Sequence, residues 1–284
     1  MPKMRSKIQS KILVVFATRP DEIKLYPFTK YEGFEFLQVN QSRDLHQRLI
    51  KWDDLVEENE LERFIKSTKD EWLAIIVQGD TRTAFRASVY GFEANIPIIH
   101  IEAGLRTFDL TQPFPEEFYR QAIDIVASYK YCSTPEAVLN CGGKYVGQTS
   151  IDTLFEFIPN CTEEDFYIVT VHRNESFERM PEIIKTIKKM DQDKLFIFAH
   201  PNKIGQELKK HFKTHKPMLY RDFVGLLSRA KGCISDSGGL QEECIALGKD
   251  FITLREKSER GKGELYKRGA TKKIIKDLRK NGLL

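Results

Sequence analysis

The sequence predicts an α/β fold built from two Rossmann-like halves, and three observations lead to that prediction. Short apolar runs rich in β-branched residues alternate with longer, charged, helix-like stretches. Each apolar run is continuous instead of alternating, as expected for a parallel strand that helices cover on both faces. The 284 residues, 41% hydrophobic and 30% charged, suffice for two cores of ordinary domain size.

Seven strands and three longer helices follow from this pattern. The predicted strands are Ile12 to Phe16, Leu73 to Val77, Ile96 to Ile101, Tyr167 to Val171, Leu195 to Ala199, Gly232 to Ser235 and Phe251 to Leu254. The predicted helices are Leu45 to Lys66, Glu116 to Ser128 and Met180 to Met190. Glycines and short polar residues interrupt the periodicity over Gly142 to Asn160, which indicates a domain boundary. We expect domains at 1–146 and 147–284, and the last helix could pack back on the first domain.

Composition argues against several classes of protein. The longest apolar runs have only strand length, so we expect no membrane span. The basic N-terminus lacks an apolar signal core, which predicts a cytoplasmic location. Five cysteines without a C-x-x-C pair predict neither a disulfide framework nor a zinc site. The net charge is +4, and the basic segment Arg260 to Lys280 contains a single aromatic residue, Tyr266. We therefore expect a solvated helix face there and no nucleic-acid binding.

Charged residues follow the predicted strands of the N-terminal half. In open α/β sheets, ligands bind beyond the carboxyl ends of the strands. Arg19 and Lys24 follow the first strand, and two cations near a helix start indicate a phosphate or carboxylate ligand, although a surface position explains them equally well. Asp80 and Glu102 follow the next two strands, so their carboxylates can converge in one site.

A second set of charges lies on the predicted helix that begins at Glu116. Glu116, Arg120 and Asp124 recur every four residues and therefore share one helix face. The spacing fits a surface ladder of ion pairs as well as it fits a functional site. The sequence leaves both interpretations open.

Strand ends in the C-terminal half carry two histidines and a glycine-rich turn. A lone histidine usually has a structural role, but His172 and His200 each follow a strand, and the shared location indicates a site. After the strand that ends at Ser235, the stretch Ser237 to Gly239 lets backbone N–H groups approach a diphosphate. Glu242 or Glu243 would repel phosphate and is better suited to accept hydrogen bonds from ribose hydroxyls. These features fit a nucleoside diphosphate.

Together, and in unbroken order, these motifs resemble those of the non-hydrolysing UDP-N-acetylglucosamine 2-epimerases, of which this chain looks like an unusually short member. The motifs are TRPDEIK, QGDT, HIEAGLR, PEEFYR, VTVHRNES, SDSGGLQEE and SER. The resemblance implies a glycosyltransferase-B type fold, in which two Rossmann-like domains face a cleft. It also implies interconversion of UDP-GlcNAc and UDP-ManNAc, by elimination of UDP to 2-acetamidoglucal and re-addition. The family needs no metal or redox cofactor, takes a UDP-sugar as substrate and sets the precedent of a homodimer.

The resemblance also implies roles for individual residues. Its acid/base groups correspond to Asp80, Glu102, Glu116 and His172, with Glu102 and Glu116 near C2 of the sugar and His172 near the diphosphate. The implied substrate-binding residues are Arg19, Lys24, Arg120, His200, Ser237, Gly238, Gly239, Glu243 and Arg260. Among these, Ser237, Gly238 and Gly239 form the phosphate cradle, and Glu243 binds the ribose.

Several positions depart from the family pattern. Asp21 stands where the family usually has Glu, Tyr119 where it has Asn, and Asn174 where it has Arg. Ser42 replaces a histidine that bacterial members associate with an allosteric UDP-GlcNAc site, although Gln41 is retained. The chain is also shorter than usual, so a trimmed cleft could admit water. Alternatives are therefore a hydrolysing 2-epimerase that releases ManNAc and UDP, an epimerase of another UDP-2-acetamido sugar, a glycosyltransferase and a non-catalytic UDP-sugar-binding module.

Overall fold

The structure is a computed structural model that describes residues 11–40, 49–254 and 266–284. The strands are β1 Lys11–Phe16, β2 Phe34–Asn40, β3 Asp54–Glu57, β4 Trp72–Gln78, β5 Ile98–Ala103, β6 Tyr129–Cys132, β7 Lys144–Tyr145, β8 Tyr167–Thr170, β9 Leu195–Phe198, β10 Gly232–Ser235 and β11 Asp250–Thr253. The helices are α1 Arg19–Leu25, α2 Leu61–Ser67, α3 Arg82–Glu93, α4 Glu116–Val126, α5 Pro135–Cys141, α6 Thr149–Phe157, α7 Met180–Lys188, α8 Lys203–His211, α9 Tyr220–Arg229, α10 Gly238–Ala246 and α11 Ala270–Lys280.

The first structural unit is a parallel sheet of seven strands in the order β3-β2-β1-β4-β5-β6-β7. The central strands are apolar on both faces, and successive residues of β1 enter opposite cores. Ile12 and Val14 pack into one core with Ile274 and Leu278 of α11. Leu13 and Val15 pack into the other, with residues of α2, α3 and α4. Burial on both faces explains why these strands read as continuous apolar runs.

The second structural unit is a parallel sheet of four strands in the order β11-β10-β8-β9. Its two faces also carry separate cores. Val169 and Ile234 pack with α7 and α8 on one face. Ile168 and Cys233 pack with α9 and α10 on the other. The predicted α/β class is confirmed, and each unit is a Rossmann-like layer of helices on both faces of a parallel sheet.

The contacts divide the chain close to the predicted boundary but not at it. The first unit comprises the described residues up to Thr153 together with Arg268–Leu284, and the second comprises Leu154–Lys267. The predicted boundary between 146 and 147 thus lies seven residues too early. The reason is α6, because Thr153 Oγ1 donates to the carbonyl of Ile23 and Asp152 accepts the N–H groups of Gly269 and Thr271 at the start of α11.

All seven predicted strands are present, but four further strands carry weak sequence signals. β3 and β7 lie at the sheet edges and expose much of their side chains, and β6 is only four residues long. In β2, Glu35 interrupts the apolar pattern and pairs with Lys11 of β1 at 2.6 Å. The helix predicted over Leu45 to Lys66 is largely wrong, because β3 occupies part of it and α2 begins only at Leu61. Its first four residues lie outside the described range.

Across the described residues, none of the helices combines the length and the apolar character needed to cross a membrane.

Candidate active site

Four of the predicted site residues follow the strands between which the strand order of each sheet reverses. In the first unit the reversal lies between β1, followed by Arg19, and β4, followed by Asp80. In the second unit it lies between β8, followed by His172, and β10, followed by Ser237. Loops diverge at such a reversal and leave a crevice at the carboxyl ends of the strands, where α/β proteins bind ligands. The topology therefore supports both sets as binding residues.

Glu102 is a buried carboxylate with three donors around it. Lys24 of α1 donates to its Oε2 in a short ion pair, and the side chain of Glu102 is only 6% exposed. Gln78 Nε2 donates to Oε2 at 2.6 Å, and Gln148 Nε2 donates to Oε1 at 3.2 Å. Donors of this kind stabilise the ionised form of a buried carboxyl group. Glu102 is therefore held as a carboxylate in a fixed orientation.

The backbone of Glu102 is also unusual. Its φ angle is +65°, in the left-handed region that side chains other than glycine seldom adopt. Two nearby glycines have the same left-handed conformation. Gly79, directly after β4, has φ +66°, and Gly104, two residues after Glu102, has φ +81°. Strain of this kind persists where surrounding contacts impose it, and it concentrates at functional sites. The conformation directs the carboxylate towards Lys24 and the end of β4.

Asp80 and Arg120 form a second ion pair in the same unit. Arg120 Nη2 donates to Asp80 Oδ2 in a short contact, and Arg120 Nη1 lies 3.3 Å from Glu117 Oε2. Arg120 is almost fully buried, whereas the side chain of Asp80 keeps 31% of its surface exposed. Asp80 thus combines pairing to a buried guanidinium with access to solvent or a ligand.

The ladder interpretation of the α4 charges is wrong. Arg120 pairs with Asp80 and Glu117, and Asp124 pairs with His100 and Arg106, so the three residues at four-residue spacing do not bridge one another. Glu116 is half-buried at the first position of α4, and no hydrogen bond or ion pair of its side chain is recorded within the described ranges. Its carboxylate is thereby available to a ligand.

Glu117, next to it, is the residue that orders the preceding loop. Its side chain is fully buried, and its oxygens accept the backbone N–H groups of Thr107 at 3.0 Å and Phe108 at 3.3 Å. The sequence motifs indicated Glu116 as a site residue and did not indicate Glu117. The helical period places the two side chains on different faces, but it does not say which face is buried.

α1 carries Arg19 at its first position and Asp21 in its first turn. The Asp21 carboxylate accepts the N–H groups of Ala17 at 3.3 Å and Thr18 at 3.1 Å, while the Thr18 hydroxyl accepts the N–H of Asp21. This reciprocal capping box orients the helix that presents Arg19 and Lys24. Burial raises the pKa of Asp21 to about 6, although the two backbone donors partly oppose the increase.

In the second unit, Asp236 organises the loop that carries His172. Its side chain is fully buried and accepts the backbone N–H groups of His172 at 3.1 Å and Arg173 at 2.9 Å, and the hydroxyl of Ser176 at 2.7 Å. His172 Nδ1 lies 3.3 Å from Asp236 Oδ1, while 37% of the His172 side chain is exposed. The exposed part of the imidazole can therefore contact an anionic ligand, while the Asp236 carboxylate holds its loop in place.

His200 lies beside His172, as their equivalent places after neighbouring strands predict. Their ring centroids are 5.2 Å apart, and His200 Nε2 contacts Thr170 Oγ1 at 3.1 Å. Asn202 Nδ2 donates to the carbonyl of His172 at 3.0 Å, so the loop after β9 also supports the loop after β8. The structure brings the two predicted histidines together.

Ser237, Gly238 and Gly239 form the start of α10. Ser237 caps the helix, and its hydroxyl accepts the N–H of Leu240. Among the described residues, no acceptor is recorded for the N–H groups of Gly238 and Gly239. A Cβ added at Gly239 would meet no protein atom within 4 Å, so the packing of the chain does not require glycine there. Two available donors, open space and a helix N-terminus suit an anionic ligand.

Glu243 lies on α10 and is 8% exposed. The Tyr220 hydroxyl donates to Glu243 Oε1 at 2.7 Å, which orients the carboxylate. Arg260, the remaining predicted site residue, lies outside the described residues, as do Gln41 and Ser42. Within those ranges, no group of three or more His, Cys, Asp or Glu side chains could hold a metal ion.

Sequence reasoning missed the residues that position the predicted ones. Gln78, in the motif QGDT, is the last residue of β4, and Asp236, in the motif SDSGG, directly follows β10. Their positions at strand ends could have indicated a functional role. Gln148 and Tyr220 have no comparable signal, because each reaches its carboxylate only through the tertiary fold.

Comparisons with known proteins match most of the chain. The sequence model of the family described as UDP-N-acetylglucosamine 2-epimerase matches residues 58–271. A Campylobacter jejuni UDP-N-acetylglucosamine 2-epimerase is 28% identical over 315 aligned residues, which cover 88% of this chain and 82% of that protein. The chain is therefore shorter than this relative but matches most of its length.

Two solved structures extend the match to the fold. The Neisseria meningitidis UDP-GlcNAc 2-epimerase bound to UDP-GlcNAc is 25% identical, with a TM-score of 0.74, and the alignment covers 96% of this chain and 92% of that one. The S. aureus MnaA co-structure with UDP is 26% identical, with a TM-score of 0.76 and coverage of 95% and 88%. The fold is thus of the glycosyltransferase-B type, and the chain belongs to the UDP-N-acetylglucosamine 2-epimerase family.

Proposed function

We propose that the protein is a non-hydrolysing UDP-N-acetylglucosamine 2-epimerase that interconverts UDP-GlcNAc and UDP-ManNAc. The observation that carries the proposal is the buried carboxylate of Glu102, held by Lys24, Gln78 and Gln148 on a strained backbone. The hydrogen at C2 of the sugar has no neighbouring carbonyl to acidify it. Its removal needs a fixed base and simultaneous loss of a leaving group, and UDP at C1 is such a group.

The chemistry would proceed by elimination and re-addition. A carboxylate takes the C2 proton, the C2–H electron pair forms the C1=C2 double bond of 2-acetamidoglucal, and the C1–O bond breaks to release UDP. Re-addition returns UDP to C1 while an acid delivers a proton to the opposite face of C2. Glu102 is our candidate near C2, with Glu116 as the second carboxylate and Asp80 orienting or relaying protons. The orientation of Glu102 before substrate arrives supports its assignment, because a preorganised base needs no rearrangement during reaction.

The second unit would hold the UDP moiety. The N–H groups of Gly238 and Gly239 and the imidazole of His172 would receive the negative charge that develops on the diphosphate. Glu243, oriented by Tyr220, would accept hydrogen bonds from the ribose hydroxyls. The S. aureus relative solved with UDP and the N. meningitidis relative solved with UDP-GlcNAc support this ligand class.

The decisive experiment is incubation with UDP-GlcNAc in D₂O, followed by NMR. We expect UDP-ManNAc that carries deuterium at C2. Product without deuterium at C2 would exclude proton abstraction at that carbon. Accumulation of free ManNAc and UDP would instead identify the hydrolysing reaction, in which water captures the intermediate.

We also propose a homodimer as the assembled state. The helices α3 and α4 of the first unit expose large apolar side chains, with Phe92 60%, Phe118 49% and Ile125 84% exposed. Exposed apolar surface of this kind is typical of interaction sites. Light scattering coupled to size-exclusion chromatography should give twice the chain mass, and Ile125→Asp should lower it. A monomeric wild-type protein would refute the dimer.

A further inference from the structure

His100 makes two contacts that none of the roles proposed above uses. Its side chain is fully buried within β5. Nε2 lies 2.8 Å from the carbonyl oxygen of Gly79, and Nδ1 lies 2.6 Å from Asp124 Oδ1. Gly79 immediately precedes Asp80. Asp124, in turn, accepts the N–H of Gly104, two residues after Glu102, at 3.0 Å.

The hydrogen-bond partners determine the charge of the ring. A carbonyl oxygen can only accept, so Nε2 of His100 must carry a hydrogen. Asp124 Oδ2 accepts from Gly104 N and from Arg106 Nη2, the latter at 2.6 Å, so both donors favour an ionised carboxylate. Nδ1 must then carry a hydrogen as well. The ring is a buried imidazolium between a carbonyl and a carboxylate.

The groups that face this bridge agree with that assignment. Burial by itself raises the pKa of Asp124, but the His100 ring and the Arg106 guanidinium outweigh it, and the pKa lies below its usual range. The Cys132 thiol on β6 also interacts with Asp124, and burial raises the pKa of that thiol, so it stays neutral. The Asp124 carboxylate therefore lies between two cations, His100 and Arg106. Among the contacts described, no second carboxylate pairs with either of them.

The bridge connects the two strained corners that carry the proposed acid/base residues. Gly79, Glu102 and Gly104 all adopt left-handed backbone conformations, and Gly79 N donates to the carbonyl of Ile101 at 3.0 Å. The ends of β4 and β5 are thus linked by that backbone bond, by the Gln78–Glu102 hydrogen bond and by the side chain of His100. The His100 ring adds a link that runs from Gly79 through Asp124 to Gly104.

We propose that His100 is a positioning residue, whose doubly protonated ring joins Gly79 to Asp124 and thereby sets the separation of Asp80 and Glu102. The proposal rests on the epimerase function proposed above. Loss of the bridge should lower kcat, since a displacement of about 1 Å between reacting groups can cost on the order of 100-fold in rate.

The first test is made on the wild-type protein. In protein labelled with ¹⁵N-histidine, both ring nitrogens of His100 should carry hydrogens, visible as two ring N–H correlations. The His100→Gln variant assigns these correlations by their loss, and His211→Gln is the control, because His211 is partly exposed on α8 and contacts Glu207 and Phe212. A His100 ring with one bare nitrogen would overturn the proposal.

The second test separates positioning from folding. In His100→Gln, the amide can donate to Gly79, but its oxygen then faces the Asp124 carboxylate. We expect kcat to fall about 100-fold with little change in KM, measured per folded molecule. In the double variant His100→Gln, Asp124→Asn, an Asn amide can donate to the Gln oxygen while its own oxygen still accepts from Gly104. This double variant should recover about tenfold of the lost kcat.

The outcomes distinguish this proposal from the proposed function. Failure of the wild-type protein to epimerise would refute the function, whereas the NMR measurement would still test the imidazolium. An active wild-type enzyme whose kcat is unchanged by His100→Gln would refute positioning. So would a double variant no faster than the single one, because a loss caused only by reduced folding would not be rescued by restoring hydrogen-bond polarity. His211→Gln should keep the wild-type kcat.

Discussion

Asp21 offers a quantitative prediction about stability and pH. The carboxyl group is 2% exposed, and within the described residues no hydrogen-bond partner is recorded for its Oδ1. Burial raises its pKa from 3.8 to about 6 in the folded protein. Below pH 3.8 the group is neutral in both the folded and the unfolded state. Between the two values only the unfolded state ionises, and above about 6 the folded state carries a buried charge.

The stability that Asp21 contributes must therefore fall as pH rises. Each unit of difference in pKa corresponds to about 1.4 kcal/mol, so the total loss is about 3 kcal/mol. About 2 kcal/mol of it occurs between pH 4.5 and 7.5, because the unfolded state is already largely ionised at pH 4.5 and about 1 kcal/mol is lost below that pH. Replacement by Asn removes the titration. The Asn amide can still accept from Ala17 and Thr18, and its other hydrogen-bonding differences are independent of pH.

The assay is urea unfolding of the wild-type protein and of Asp21→Asn at several pH values. The free energy of unfolding of the variant, relative to wild type, should rise by about 2 kcal/mol from pH 4.5 to 7.5. A difference that stays constant over this range would refute the reasoning. Asp109→Asn is a control of opposite sign, because Thr111 donors lower the pKa of the exposed Asp109. Its loss of stability should be greatest at high pH.

Three further predictions concern activity. Glu102→Gln should slow deuterium incorporation at C2 by at least about 100-fold without unfolding the protein, as NMR and circular dichroism would report; incorporation at the normal rate would remove Glu102 from the acid/base set. Gly239→Ala should fold normally, since its Cβ would meet no described atom within 4 Å, yet it should bind UDP more weakly, as calorimetry would measure. The control Gly225→Ala, equally unobstructed on α9, should bind UDP as the wild-type protein does. Asp236→Asn can keep the loop bonds but removes the carboxylate beside His172, so kcat should fall about tenfold, equivalent to about 1.4 kcal/mol; an unchanged kcat would contradict the role proposed for His172 beside this carboxylate.

Much of the framework was readable from the sequence. The core strands appear as apolar runs because both of their faces are buried, and the residues that follow them reach the site because parallel strands end at the same edge. Lys24, Asp80, Glu102, His172 and the turn before α10 were all located in this way. Their chemical roles stay predictions until activity is measured.

Other features have no local signature. β2 was missed because Glu35 interrupts its apolar pattern, and only the neighbouring strand supplies Lys11 as its partner. The helix predicted over Leu45 to Lys66 failed because Asp53 exchanges hydrogen bonds with the backbone of Phe36, which favours a strand over the intrinsic preference for helix.

The sequence by itself determined the fold class, the family and the strand ends at which chemistry is concentrated, because hydrophobic period and motif order are properties of neighbouring residues. Only the tertiary structure decided the pairings. Glu102 is joined to Lys24 across 78 positions, Asp80 to Arg120 across 40 and His100 to Asp124 across 24. Such partners are chosen by the packing of strands and helices, which places distant carboxylates and cations together in a low-dielectric interior where an unpaired charge would be costly.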